Sequence, residues 1–328
     1  MLELSRRGLM AASLAGAALT AGGAMSAAAK ASKAAGGGGA FFKRTGLPLG
    51  LQLYTLGPDL GADLDGMLGK VAAAGYRTVE LAGYAGRTPA QFRAALDKAG
   101  LAAASSHVGA ASNPAQAGLD NLDGVIAEAK VMGVGHIVLP MFPMPGRIKP
   151  EAGEDRRAFL ARLGAAMTAE DWQGTAALLN AKAGPLKAAG LTLGYHNHNV
   201  EFAPVAGAPA GTRGLDILLK SASPDVQFEM DAGWVAAAGA DPFALLKAHP
   251  RRFRQMHVKD LKASTKPNFG FQMDPVEVGA GTIDWARLLP AAHAAGVDGF
   301  FVEQEAPYTR PRIEAATLDA AYLLKLEA

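Results

Sequence analysis

Leu191-Thr-Leu-Gly-Tyr-His196-Asn-His198 is an apolar, strand-like run that carries two of the chain's seven histidines at its carboxyl end. Three later runs end in residues of the same chemistry: Phe228-Glu-Met-Asp231, Gln255-Met-His257-Val-Lys259-Asp260 and Phe300-Phe-Val-Glu303-Gln-Glu305. Two imidazoles, His196 and His257, and two carboxylates, Asp231 and Glu303, each from the end of a different strand, suit one divalent cation with positions left open for a substrate.

Outward from these four, the chain alternates short apolar runs with longer Ala/Leu-rich amphipathic ones. Eight strands are expected, at 49–56, 78–82, 101–108, 136–141, 191–198, 226–233, 253–260 and 300–305. Helical stretches at 64–74, 89–99, 119–132, 172–189, 242–249 and 283–295 lie between them. Gly75, Gly100, Gly133, Gly190 and Gly296 stand where helices favour a glycine stop. Strict alternation of this kind predicts an α/β chain folded as a single (β/α)8 TIM barrel over residues 46–328, with right-handed crossovers.

Side chains alternate along a strand, so His196 shares a face with His198, Glu229 with Asp231, His257 with Lys259, and Glu303 with Glu305. Each pair falls at the carboxyl end of its run, the rim where barrels of this kind carry their sites. Glu80 and the Ser105/His107 pair occupy equivalent places on the second and third strands. Trp234, just after Asp231, offers a ring that either stacks on a sugar face or is buried under the loop.

The amino terminus reads as an address. Ser5-Arg6-Arg7 precedes an uncharged Ala/Gly/Leu stretch ending in Ala27-Ala28-Ala29, which fits a twin-arginine-type signal peptide over residues 1–29. The stretch is too dilute in apolar residues for a stable membrane span. A periplasmic or exported protein, carried by the twin-arginine export machinery, is the expectation. Residues 30–45, with four consecutive glycines, read as a flexible linker. A net charge of +2 argues against a nucleic-acid partner, and 50% hydrophobic residues supply a large core. The absence of cysteine removes disulfides, thiolate ligands and cysteine nucleophiles together.

Several segments together resemble a known family: Gly50-Leu-Gln-Leu-Tyr-Thr55, Tyr195-His-Asn-His198 with Glu201-Phe202, Glu229-Met-Asp231-Ala-Gly-Trp234, His257-Val-Lys-Asp260, Val278-Gly-Ala-Gly-Thr-Ile-Asp284-Trp285 and Val302-Glu-Gln-Glu305. They are similar, in order and spacing, to the sugar phosphate isomerase/epimerase group of xylose isomerase-like barrels. The resemblance implies that one metal is held at His196, Asp231, His257 and Glu303. Many members have glutamate where this chain has His196. The N2O2 donor set favours Mn2+ first, with Zn2+, Co2+ or Fe2+ as alternatives, over Mg2+ or Ca2+.

Barrels of this group take a proton from a carbon beside a carbonyl while the cation stabilises the enediolate. The resemblance makes Glu303 the expected base, since a second metal-bound glutamate is missing. His198, His107, Glu80 and Lys259 are candidates for its acid/base partner, and Glu80, His107, Trp234 and Glu305 are expected to contact substrate. The expected activity is isomerisation or epimerisation of an unphosphorylated sugar or keto-sugar. β-Elimination of a 3-keto-glycoside from the same site is the alternative, and a non-catalytic sugar-binding protein is the alternative of another class. Endonuclease chemistry on this fold would need a histidine where Trp234 stands. Exposed helices leave room for a homo-oligomer.

Overall fold

The computed structural model describes residues 39–328. The expected export signal, and residues 30–38 of the expected linker, lie outside the described residues. Residues 41–45 depart from the linker expectation: Phe41–Thr45 is a helix closed by Gly46 in the left-handed conformation. Phe41 and Phe42 are buried, and both meet Phe300 edge-on at 5.6 and 6.0 Å. Two adjacent phenylalanines bury too much apolar surface to be left in a solvated tether.

Eight parallel strands close into a barrel: β1 (Leu49–Gln52), β2 (Thr78–Leu81), β3 (Ala102–His107), β4 (His136–Leu139), β5 (Thr192–His196), β6 (Val226–Asp231), β7 (Phe253–Val258) and β8 (Gly299–Val302). Each pairs with its sequence neighbours, and β8 closes on β1 through Leu49 beside Phe300. The strands are short and apolar because both faces are covered, the outer one by helices and the inner one by side chains of the barrel. All are expected from the sequence, and all eight stop one to four residues earlier than expected at their carboxyl ends. There the chain leaves the ladder to form the loops of the mouth, so a run of apolar and ligand residues outlasts its strand.

The helices start and stop on local chemistry. Thr88 and Gln91, and Thr168 and Asp171, form reciprocal caps at the starts of Pro89–Ala99 and Ala169–Ala188. Asn121 caps Leu122–Met132, three residues after the expected start at Leu119. Gly75, Gly100, Gly133 and Gly296 stop helices in the left-handed conformation, and Gly190 follows one stop by a residue. Arg156–Ala165 and Ala169–Ala188 together cover the β4–β5 crossover, and Arg312–Leu323 packs after β8. Among the described residues no helix is long and apolar enough to cross a membrane.

After β7 the chain forms a small antiparallel hairpin, Asp260–Leu261 with Pro275–Val276. Asn199, just past β5, ties down its loop: Asn199 Nδ2 donates to Asn268 O and Oδ1, and Asn199 Oδ1 accepts from Phe271 N. Phe271 is thereby held over the mouth of the barrel, 5.2 Å from His198 and 6.2 Å from Trp234 between ring centres.

Candidate metal centre at the barrel mouth

Strand register decides which functional side chains meet. On the β5–β6 pair His196 stands beside Glu229, and on the β6–β7 pair Asp231 stands beside His257. His196, Asp231 and His257 lie on the last turns of their strands, while Lys259, Glu303 and Glu305 follow just beyond. The ligand atoms of Asp231, His257 and Glu303 lie within 4.8 Å of one another. Those of His107, His196, Glu229 and His257 form a second such group, deeper in the barrel. The four expected ligands therefore converge as a tight trio with His196 at its edge. His257 Nδ1 is 2.9 Å from Glu303 Oε2 and 3.7 Å from Asp231 Oδ2, and His196 Nε2 is 3.9 Å from Asp231 Oδ2.

Lys259, expected as a catalytic candidate, is buried and ion-paired. Its ammonium lies 2.8 Å from Asp231, 2.7 Å from Glu303 and 2.6 Å from Glu305, and 5.0 Å above the Trp234 ring. These contacts outweigh burial and hold its pKa well above the usual lysine value. Glu303 is likewise ionised: burial opposes it, but Lys259 and His257 carry its pKa well below the carboxylate range. Asp260 is not a partner of Lys259. It accepts from the backbone N–H groups of Gly279, Thr282 and Ile283 and from Trp285 Nε1. The Gly279-Ala-Gly281 turn thus wraps a carboxylate of the chain itself, and a Cβ at Gly281 would lie 2.1 Å from Asp260 Oδ1.

A cavity of about 510 Å3 opens above the cluster. His107, His196, His198, Trp234, Glu303 and Glu305 line it, with Tyr54, Met141, Leu160 and Phe271 as apolar walls. Glu80, expected to contact substrate, does not reach it. It is fully buried below, with Oε2 3.1 Å from His107 Nε2 and 3.4 Å from His257 Nε2. His107 faces the cavity but spends Nε2 on Glu80 and Glu229; burial opposes its proton, and the two carboxylates still bring its pKa up to about 9. His198 is the reverse case. Burial, then His196 and Lys259, keep its imidazole neutral, with a pKa well below the usual value. Its backbone N–H donates to Glu201, whose own carboxyl burial pushes up to about 7 although Tyr195 Oη also donates to it.

The residues fit a divalent cation. Asp231, Glu303 and Glu305 share the Lys259 ammonium, Glu80 and Glu229 face only the imidazoles, and Glu80 Oε1 and Glu229 Oε1 are buried without a hydrogen-bond partner. Buried acceptors at this density call for further positive charge. Asp231, His257 and Glu303, with His196 beside them, supply mixed nitrogen and oxygen donors.

Residues 68–326 match the xylose isomerase-like TIM barrel family. The structure is similar to two sugar phosphate isomerase/epimerase structures from Parabacteroides distasonis. One is 26% identical with a TM-score of 0.68, covering 85% of this chain and 98% of that one. The other is 25% identical with a TM-score of 0.64, covering 85% and 94%. An L-ribulose 3-epimerase, 17% identical over 84% of this chain and 93% of its own, shares the fold with a TM-score of 0.58. The comparison with curated proteins gave no match. With four-fifths of its length aligned to the family and the strand-end motifs in place, the chain belongs to the xylose isomerase-like TIM barrel family.

Proposed function

We propose that the protein is a divalent-metal-dependent isomerase or epimerase that takes a proton from a carbon beside the carbonyl of an unphosphorylated sugar or keto-sugar. The observation that carries this reading is the meeting of Asp231, His257 and Glu303 at a mouth where Glu303 also lines an open cavity. Asp231, His257, Glu303 and His196 would hold the ion, with Mn2+ our choice for this donor set. When bound, the ion supplies positive charge to the substrate oxygens as the enediolate forms.

The chain's own groups supply the rest. Glu303, ionised and facing the cavity, takes the proton. The Glu303 carboxylic acid so formed returns the proton to the neighbouring carbon of the enediolate, and His198, neutral and facing the same space, accepts a hydrogen bond from a sugar hydroxyl. Lys259 balances the carboxylates from below, with Glu305 keeping its ammonium at the site. Trp234, Phe271 and Leu160 give the sugar an apolar wall and keep water away. Arg156 is the one arginine or lysine among the residues lining the cavity, a poor complement for a phosphate dianion. The export reading of residues 1–29 favours the same, unphosphorylated class.

The test is incubation of Mn2+-loaded protein with sugars and 3-keto-glycosides in D2O, followed by NMR. Deuterium on a carbon beside the carbonyl, with the skeleton retained, is the expected result. Released aglycone would replace isomerisation by elimination, and no exchange across the panel would overturn an enzymatic role. Glu303→Gln is expected to lower the exchange rate by about 10²–10⁴-fold.

A further inference from the structure

The two histidines of the metal reading owe their orientation to one buried oxygen. His196 Nδ1 lies 3.1 Å from Glu229 Oε2, and His257 Nε2 lies 3.3 Å from the same atom. His107 Nε2 makes a third contact with it at 3.0 Å. An ionised carboxylate only accepts, so in each ring the nitrogen facing Glu229 carries the proton. His196 Nε2 is then left with a lone pair toward Asp231, whereas His257 Nδ1, 2.9 Å from the Glu303 carboxylate, carries a second proton here, one that a cation bound between Asp231 and Glu303 would replace while the proton facing Glu229 stays. Register builds the arrangement: Glu229 is the β6 neighbour of His196, and two residues on, Asp231 is the β6 neighbour of His257. Glu229 is 1% exposed and does not line the cavity.

We infer that Glu229 is a positioning residue that fixes, through a single carboxylate oxygen, the tautomers of both metal-binding histidines. The inference rests on the metal reading above. A cation held by these three imidazoles would stand about 2.0–2.1 Å from each nitrogen. What stands among them instead is the Glu229 oxygen, at 3.0–3.3 Å, which is hydrogen-bond spacing. Partners of this kind orient metal-binding imidazoles and raise their basicity, and their loss costs about 10–100-fold in metal affinity. Glu80 does part of the same work, touching His107 and His257 but not His196.

The experiment uses the full chain, 15N-labelled at histidine and loaded with Zn2+. Two quantities are read: the imidazole N–H signals, and Zn2+ affinity by competition with a chromophoric chelator. In the wild type, one metal-bound histidine shows a protected Nδ1–H and another a protected Nε2–H. Glu229→Leu is expected to lose the Nδ1–H signal, to shift the Nε2–H signal that Glu80 still accepts, and to weaken Zn2+ binding about 10–100-fold. Glu229→Gln, which keeps an acceptor of the same shape, should retain both signals at altered shifts with a smaller loss of affinity, and it decides the matter if Glu229→Leu does not fold. Glu80→Gln should move the Nε2–H signal and leave the Nδ1–H signal in place, a selectivity that general loosening of the core would not give. Zn2+ affinity within about two-fold of wild type in Glu229→Leu, with both signals unmoved, overturns the inference alone. Two Zn2+ per chain would overturn it by making Glu229 a ligand. No Zn2+ binding by the wild type would overturn the metal reading itself and this inference with it.

Discussion

Lys259 places a positive charge among Asp231, Glu303 and Glu305 with 1% of its side chain exposed. Removing one partner of such a buried network strands the others, at a cost of about 3–5 kcal/mol. Lys259→Met is therefore expected to lower the thermal midpoint of the metal-free protein markedly. Mn2+ should then restore more stability to the variant than it adds to the wild type, because it answers the same carboxylates; equal increments in thermal unfolding would contradict this. Residues of this kind were legible to different degrees. Asp231, His257 and Glu303 stood out because each ends an apolar run in a ligand atom. Glu229 was visible only as the in-phase neighbour of Asp231, two positions earlier, and alternation alone cannot say that its oxygen meets three imidazoles. That depends on register across four strands, which the sequence does not display. The same limit misplaced Glu80: its face was read correctly, its depth was not.

At the scale of elements, Phe41–Thr45 shows how a short apolar signal is hidden by its surroundings. Two phenylalanines next to a glycine run read as the end of a tether, yet Phe41 meets Phe42 and Phe300, and its backbone N–H donates to Leu326 O. The helix thus joins the start of the described chain to its end, at the end of β8 away from the site. Phe41→Ala is expected to cost about 3–5 kcal/mol in urea unfolding, with Mn2+ affinity unchanged. A change below 1 kcal/mol would show that the helix is not part of the cooperative fold. The turn around Asp260 is the opposite case. Asp260 sits beside the site in sequence, but its carboxylate serves backbone N–H groups of residues 279–283. Barrel strands and the principal helices were legible because hydrophobic period and glycine stops agree there; strand ends were not, because mouth residues keep the alternation after the ladder stops.

Across the whole molecule, stability should carry the mark of a buried carboxyl that is not one of the expected metal ligands. Asp319 accepts from Val278 N and from Gln304 Nε2, and burial pushes its pKa up to about 7. A raised folded-state value means that the native protein holds this proton more tightly than the unfolded chain does. The contribution is complete below the unfolded value near 3.8 and is lost as pH rises through about 7. It amounts to roughly 4 kcal/mol. Asp319→Asn, neutral at every pH, should flatten that part of the urea-unfolding profile between about pH 4 and 7; an unchanged slope would place the titration elsewhere. The barrel as a whole brings residues from β2, β3, β5, β6, β7 and the end of β8 to one mouth, and the account turns on whether a cation is held there. Diffraction from crystals grown with Mn2+, recorded at the manganese absorption edge, tests that directly. The account predicts a single anomalous peak bounded by Asp231, His257 Nδ1 and Glu303, with His196 Nε2 at its edge; a mouth without a peak, or a peak elsewhere in the molecule, would contradict it.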